Sequence, residues 1–123
     1  MKKTGILHAD LSRLVASLGH GDLLVIGDAG LPVPPGVPCI DLAVTHGVPT
    51  FAQVLAAVLS EMQVESCIMA AEASDALHAM APVAPRLMDH DAFKAEIARA
   101  RAIVRTGEIT PYANIGLCAG VTF

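Results

Sequence analysis

With 123 residues the chain is sized for a single domain, 1–123, built on one core that must carry both the fold and any site. It is 54% hydrophobic yet only 3% aromatic, so its apolar mass is mostly Ala, Val, Leu and Ile, more than a small monomer easily buries, and subunit contacts are the ordinary outlet. A formal charge of -4, with no cluster of Lys or Arg beyond Lys2-Lys3, excludes the phosphate-tracking surface of a nucleic-acid binder.

Asp10 to Leu18 predicts a short helix, because Leu11, Leu14, Val15 and Leu18 recur at helical spacing with Asp10 placed to cap the start and Gly19 to end it. Asp10 and Arg13 arrive too early for an apolar signal region, so a cytoplasmic protein is expected. Leu23 to Ile26 is a strand buried on both faces, closed by Gly27-Asp28-Ala29-Gly30. Residues 31–38 carry Pro32, Pro34, Pro35 and Pro38 and form an extended connector. Cys39 to Val44 is a second strand. The longest stretch without Asp, Glu, Lys or Arg, Leu42 to Ser60, is broken by Pro49 and several polar residues, which argues against a membrane span.

Thr50-Phe51-Ala52-Gln53 has capping-box spacing and opens the clearest helix, with Phe51, Val54, Leu55, Val58, Leu59 and Met62 in one stripe. Ser66 to Ala71 is a third strand. Glu72 to Pro85, alanine-rich with two prolines, reads as half a turn of helix and a loop. Arg86 to Met88 is an edge strand, Asp91 to Ala100 a helix using Phe93 and Ile97, Ala102 to Arg105 a strand, and Ile115 to Ala119 the last strand after a connector begun by Pro111. Strands alternating with helices predict parallel pairing in a layered α/β domain: three layers, with a mostly parallel central sheet flanked by helices. Cys39, Cys67 and Cys118 are odd in number and far apart, and read as buried thiols rather than a disulfide framework.

The candidate chemistry sits at element ends. Imidazole exchanges protons near neutral pH, and five histidines are present. His20, between Gly19 and Gly21, has room to face a ligand, although a solvated loop histidine has the same local sequence. His90 lies at a helix start beside Asp89 and Asp91, where a carboxylate could orient it or the terminus could simply be solvated. His46 reads as a capping or loop residue, and His8 and His78 as surface residues. No ligand spacing for zinc occurs, and the Gly27–Gly30 turn lacks the features of a phosphate loop. That turn does present Asp28 at the carboxyl end of a buried strand, where open α/β sheets bind ligands, and a carboxylate there accepts hydrogen bonds from sugar hydroxyls. Asp28 as a turn-former bonding its own backbone is the competing reading. Tyr112, Ala113 and Asn114 enter the last strand with a phenol and an amide, groups suited to a polar, uncharged ligand. A core tyrosine is the alternative.

Taken together, Lys3-Thr4-Gly5-Ile6-Leu7, Leu18-Gly19-His20-Gly21-Asp22, Asp28-Ala29-Gly30-Leu31-Pro32-Val33-Pro34, Ile40-Asp41-Leu42, Gly47-Val48-Pro49-Thr50-Phe51, Glu61-Met62-Gln63-Val64-Glu65, His90-Asp91-Ala92-Phe93-Lys94, Arg105-Thr106-Gly107-Glu108, Pro111-Tyr112-Ala113-Asn114 and Ala119-Gly120-Val121-Thr122-Phe123 cover nearly the whole chain. In that order they resemble the D-ribose pyranase and L-fucose mutarotase family. Asp28-Ala29-Gly30-Leu31-Pro32 and Tyr112-Ala113-Asn114 resemble its ribose branch. The resemblance implies a mutarotase, an isomerase that interconverts pyranose and furanose forms of D-ribose without metal, nucleotide or redox cofactor. It also implies that His20 is the proton donor and that Asp28, His90, Tyr112, Ala113 and Asn114 bind the monosaccharide. A ring-based homo-oligomer, an octamer or decamer, is implied as well. Two departures stand out: His8 occupies a position where the family leads one to expect asparagine, and the segment around Glu72 to Arg86 is short for the ribose branch.

His20 precedes a strand that Asp28 ends, and at about 3.3 Å per residue the two are separated by roughly 20 Å. One sugar does not span that distance, so each site is expected to be completed by a neighbouring subunit. The alternatives are an L-fucose mutarotase and, from a different class, a non-catalytic sugar-binding accessory protein.

Overall fold

A computed structural model describes all residues, Met1–Phe123. The elements in order are α1 (Ala9–Ser17), β1 (Leu23–Gly27), β2 (Cys39–Asp41), α2 (Phe51–Leu59), β3 (Val64–Ala70), α3 (Asp75–His78), β4 (Arg86–Met88), α4 (His90–Glu96), β5 (Ala102–Arg105) and β6 (Ile115–Ala119), with a 3-10 turn over Ile97–Arg99 extending α4. The six strands form one sheet in the order β2-β5-β1-β6-β3-β4. β1 pairs in parallel with β5, β5 with β2, and β3 with β4.

β6 is the exception, antiparallel to both β1 and β3. The reason is the connection that feeds it. Residues 106–114 contain no helix, and parallel pairing needs a crossover of about a dozen residues or more to return the chain to the starting edge. The chain therefore turns back and enters β6 from the edge at which β5 ends. This reversal brings the start of β6 beside the carboxyl ends of the other strands, with Ile115 opposite Ile26.

Alternation along the strands divides the core into two layers. Leu24 and Ile26 of β1, Cys67 and Met69 of β3, Ala102 and Val104 of β5, and Ile115 and Leu117 of β6 face α1 and α2 in the larger cluster. Leu23 and Val25, Ile68 and Ile103 face Phe93, Ile97 and Ala100 in the smaller one. The proline-rich connector closes this second layer with Leu31, Val33 and Val37. Gly116 also points that way. A Cβ there would lie 2.7 Å from the Ile68 side chain, so only glycine leaves room for it.

The capping box of α2 forms as its spacing predicts: the Thr50 hydroxyl accepts from the Gln53 N–H at 3.2 Å, and the Gln53 side chain accepts from the Thr50 N–H at 2.9 Å. Helix α1 differs from expectation at its cap. Asp10 lies in the first turn, and His8 is the N-cap, its Nδ1 accepting from the Leu11 N–H at 3.3 Å. A histidine ring nitrogen thus does there what an asparagine oxygen does at other helix starts. β2 is shorter than predicted and lies at the sheet edge, so Cys39 is exposed rather than buried, while Cys67 is buried and Cys118 intermediate. The alanine-rich segment holds the single turn α3, capped by Ser74 and anchored through buried Leu77. His78 is partly buried, and its ring bonds the Ala70 carbonyl at 2.9 Å.

Candidate functional site

The carboxyl edge of the sheet gathers the polar ends of four strands. β1 runs out at Gly27 into Asp28, whose carboxylate does two things at once. Oδ1 accepts from the Gly30 N–H at 2.9 Å, which makes the local turn foreseen for an aspartate in this position, and Oδ2 accepts from the Asn114 amide at 3.0 Å. The Asn114 carbonyl oxygen in turn accepts from the Asp28 N–H at 2.8 Å. Asn114 is only 1% exposed, so this reciprocal pair fixes the carboxylate against a buried amide. Gly27 allows the approach: a Cβ at Gly27 would stand 3.0 Å from the Asn114 oxygen and 2.5 Å from Leu31.

The chain reaches Asn114 through a tight reversal in which the Asn114 N–H donates to the Tyr112 carbonyl at 2.8 Å, with buried Ala113 at its centre. Tyr112 has φ +61°, the left-handed region that side chains rarely adopt, and is 36% exposed. Its ring meets the His90 imidazole edge-on, with centroids 5.1 Å apart, and His90 stacks on buried Phe93 at 6.3 Å. Tyr112, His90 and Phe93 thus form a row of three rings that runs from the surface into the core.

His90 is oriented by these rings and not by its acidic neighbours. Asp89 caps α4, accepting from the Ala92 N–H at 2.8 Å, and Asp91 pairs with Lys94 at 2.8 Å. The Lys94 hydrogen bond and charge hold the Asp91 carboxyl below the usual range. The His90 N–H donates to the Glu72 carboxylate at 3.0 Å, while its ring Nδ1 is buried with no hydrogen-bond partner in the chain. A buried, unpaired polar nitrogen is costly.

Glu108 organises the loop that carries Tyr112. It accepts from the Thr110 hydroxyl at 2.9 Å, from the N–H groups of Ile109 and Thr110 at 3.1 Å each, and from the Phe51 N–H at the start of α2 at 3.2 Å. Burial pushes its carboxyl up, but the bonds from Thr110, Phe51 and Ile109 outweigh that and hold it below the usual range.

His20 is elsewhere. It follows α1 and precedes β1, at the opposite, amino edge of the sheet, where Gly21 takes φ +82° and its N–H donates to the Ala119 carbonyl at the end of β6. Its Nε2 lies 2.6 Å from the Glu65 carboxylate. The structure thus brings Asp28, His90, Tyr112, Ala113 and Asn114 together and leaves His20 apart by the length of β1, as the strand arithmetic predicts. The residues missed from the sequence are Glu65, Glu72, Phe93 as a ring platform, and Glu108. Only Glu108 had a readable signal, an acid followed two residues later by Thr110 in a helix-free connector.

A model of the RbsD / FucU transport protein family matches residues 1–122. A D-ribose pyranase from Paracidovorax citrulli is 62% identical, and one from Pseudomonas fluorescens 56% identical, each with both chains covered completely. Among solved structures, Bacillus subtilis RbsD complexed with D-ribose superposes with a TM-score of 0.93 at 46% identity, again over 100% of both chains. The fucose mutarotase of Streptococcus pneumoniae, solved with L-fucose, shares the fold with a TM-score of 0.77, covering 95% of each chain at 22% identity. With matches of this extent, the chain belongs to the RbsD / FucU transport protein family.

Proposed function

We propose that this chain is a D-ribose pyranase, an isomerase that interconverts the pyranose and furanose ring forms of D-ribose by acid–base ring opening and closure. The observation that carries the reading is the full-length kinship with proteins of that activity, 62% identical in the first case, together with 46% identity to a chain solved with D-ribose. The relative solved with L-fucose shares the fold at 22% identity, which sets the ribose reading above the fucose one.

In this reading one domain, 1–123, acts in the cytoplasm; no helix is long and apolar enough to cross a membrane. Asp28, locked by Asn114 and Gly30, accepts hydrogen bonds from ring hydroxyls. The Tyr112 and His90 rings cover an apolar face of the sugar, and the Ala113 reversal sets the spacing between phenol and amide. His20 protonates the ring oxygen as the bond from that oxygen to the anomeric carbon breaks. The bond's electron pair goes to the ring oxygen, the anomeric oxygen forms the carbonyl, and its proton passes to water. Reclosure through a different hydroxyl reverses the steps and returns the proton to His20. A positioned acid of this kind is worth about a hundred- to ten-thousand-fold.

Because His20 and Asp28 lie at opposite sheet edges, His20 of one subunit completes the site of its neighbour. A homo-oligomer built on rings, an octamer or decamer, closes every such contact. Exposed Val44, Val48 and Ile109 beside the carboxyl edge, and the apolar groove between α2 (Ala52, Leu55, Ala56 and Leu59) and Met80 just after α3, give it surface to bury. The test is NMR saturation transfer between ring forms of D-ribose and of L-fucose, with and without the protein. Faster exchange for ribose supports the reading, and unchanged exchange for ribose contradicts it.

A further inference from the structure

We infer that Glu65 is the positioning residue for His20, holding the proton on Nε2 so that Nδ1 is the atom that exchanges a proton with the sugar. The inference rests on the mutarotase reading of His20 and deepens it.

Three observations carry it. The first is the contact itself: Nε2 and a Glu65 carboxylate oxygen are 2.6 Å apart. An ionised carboxylate only accepts, so the hydrogen between the two belongs to Nε2. In the neutral ring Nδ1 is then a bare acceptor, and in the imidazolium it is the donor not engaged by Glu65. The second is the strand. Along β3 the register with β6 slips by one residue: Val64 faces Ala119 and Ser66 faces Cys118, so Glu65 is the extra residue of a bulge. Bulges re-aim a side chain that regular pleating would point elsewhere. The third is the space that receives it. The chain after β6 continues through Gly120, where a Cβ would lie 3.1 Å from the Glu65 Cβ and 3.3 Å from its backbone nitrogen. Gly120 donates its N–H to the Gln63 carbonyl at 2.9 Å, which closes the bulge from the other side.

A surface ion pair holds two side chains together only weakly, and here the rings and carboxylates are 62% and 55% exposed in the single chain. Glu65 acts on the orientation and tautomer of a ring whose face is covered when the neighbouring subunit docks, not on the stability of the fold.

The experiment uses the full assembled protein, unsubstituted and as Glu65→Ala and Glu65→Gln, with two readouts. Side-chain 1H–15N correlation spectra at alkaline pH, the His20 signal identified by its loss in His20→Gln, report which ring nitrogen carries the proton. Saturation transfer reports D-ribose exchange, and ribose titration reports affinity. The expected results are an Nε2–H tautomer in the unsubstituted protein, a mixture in Glu65→Ala, and exchange slower by about tenfold or more in that variant, within the range a positioned acid supplies, with affinity nearly unchanged. Glu65→Gln, which keeps an acceptor, recovers part of both. An Nδ1–H tautomer in the unsubstituted protein, or Glu65→Ala exchanging at full rate, overturns the inference. If the unsubstituted protein speeds no exchange, the mutarotase reading fails first, and the tautomer alone still decides whether Glu65 holds the ring.

Discussion

The Asp28–Asn114 pair invites the substitution Asn114→Asp, which changes one atom and reverses one interaction. The acceptor that takes the Asp28 N–H at 2.8 Å is retained, while the amide that donates to the Asp28 carboxylate at 3.0 Å becomes a second carboxylate oxygen. Two carboxylates at that separation do not both stay ionised, so the pair shares a proton and one folded-state pKa rises above its unfolded value. Taking the proton costs about 1.4 kcal/mol per pH unit above an ordinary aspartate value of about 3.9. The penalty on stability is therefore capped at about 4 kcal/mol at pH 7 and about 1.5 kcal/mol at pH 5. A raised acid pKa means that the folded state binds more protons than the unfolded chain, so stability falls as pH rises through this window. Asn114→Ala instead leaves the part-buried Asp28 N–H without its acceptor and removes a charge-assisted bond, a loss of about 2 to 4 kcal/mol with no such pH dependence. Urea denaturation of both variants between pH 5 and pH 7.5 separates them. An Asn114→Asp variant whose deficit is the same at both ends of the range would show that the two carboxylates do not share a proton.

Glu108→Gln removes a carboxylate held below its usual range by Thr110, Phe51 and Ile109. A depressed acid pKa contributes stability above the unfolded value of about 4.3 that is lost as pH falls through the folded one, so the variant should lose about 1 kcal/mol at neutral pH and show a flatter acid limb in denaturation curves. Tyr112→Gly relieves the left-handed φ of +61° but gives up the edge-on contact with His90. The relief, about 1 to 2 kcal/mol, and the lost ring contact, about 0.5 to 1.5, nearly cancel. Stability should thus change by less than about 1 kcal/mol while ribose affinity drops, both read by denaturation and ribose titration. Gly107→Ala drives a methyl group into the backbone carbonyls of Val48 and Thr45, which cannot retreat as a side chain would. A loss of about 3 kcal/mol in denaturation is expected, and a neutral result would show that the 45–48 turn is not held against this loop.

Much of this architecture was legible because local signals and the fold agree. The helix stripe from Phe51 to Val58, the Thr50–Gln53 capping box and the doubly buried run at β1 each depend on neighbours in sequence. What escaped depends on distance through the fold. The reversed direction of β6 follows from a helix-free connector, and its consequence, Asn114 beside Asp28, spans 86 residues. His8 as a cap was hidden because a ring nitrogen substitutes for the usual oxygen acceptors. The acidic flanks of His90 suggested orientation by Asp89 or Asp91, but one serves as helix cap and the other pairs with Lys94, leaving aromatic rings to do the orienting. Glu65 was unreadable in principle, because a bulge in β3 is a property of the pairing with β6 and not of the strand's own sequence. The candidate site divides in the same way. The positions of Asp28 and Tyr112 to Asn114 follow from strand ends, whereas their mutual bonding does not.

The proposed shared site draws His20 from one chain and Asp28 from another. It is tested most directly by dissociating His20→Ala and Asp28→Asn proteins, reassembling them together, and measuring D-ribose ring-form exchange by saturation transfer. Each variant alone should be inactive. In random co-assemblies about one quarter of the sites carry both intact residues, so exchange should return to about that fraction of the unsubstituted rate. Mixed assemblies as inactive as their parents would contradict a shared site, as would a monomeric variant with full activity.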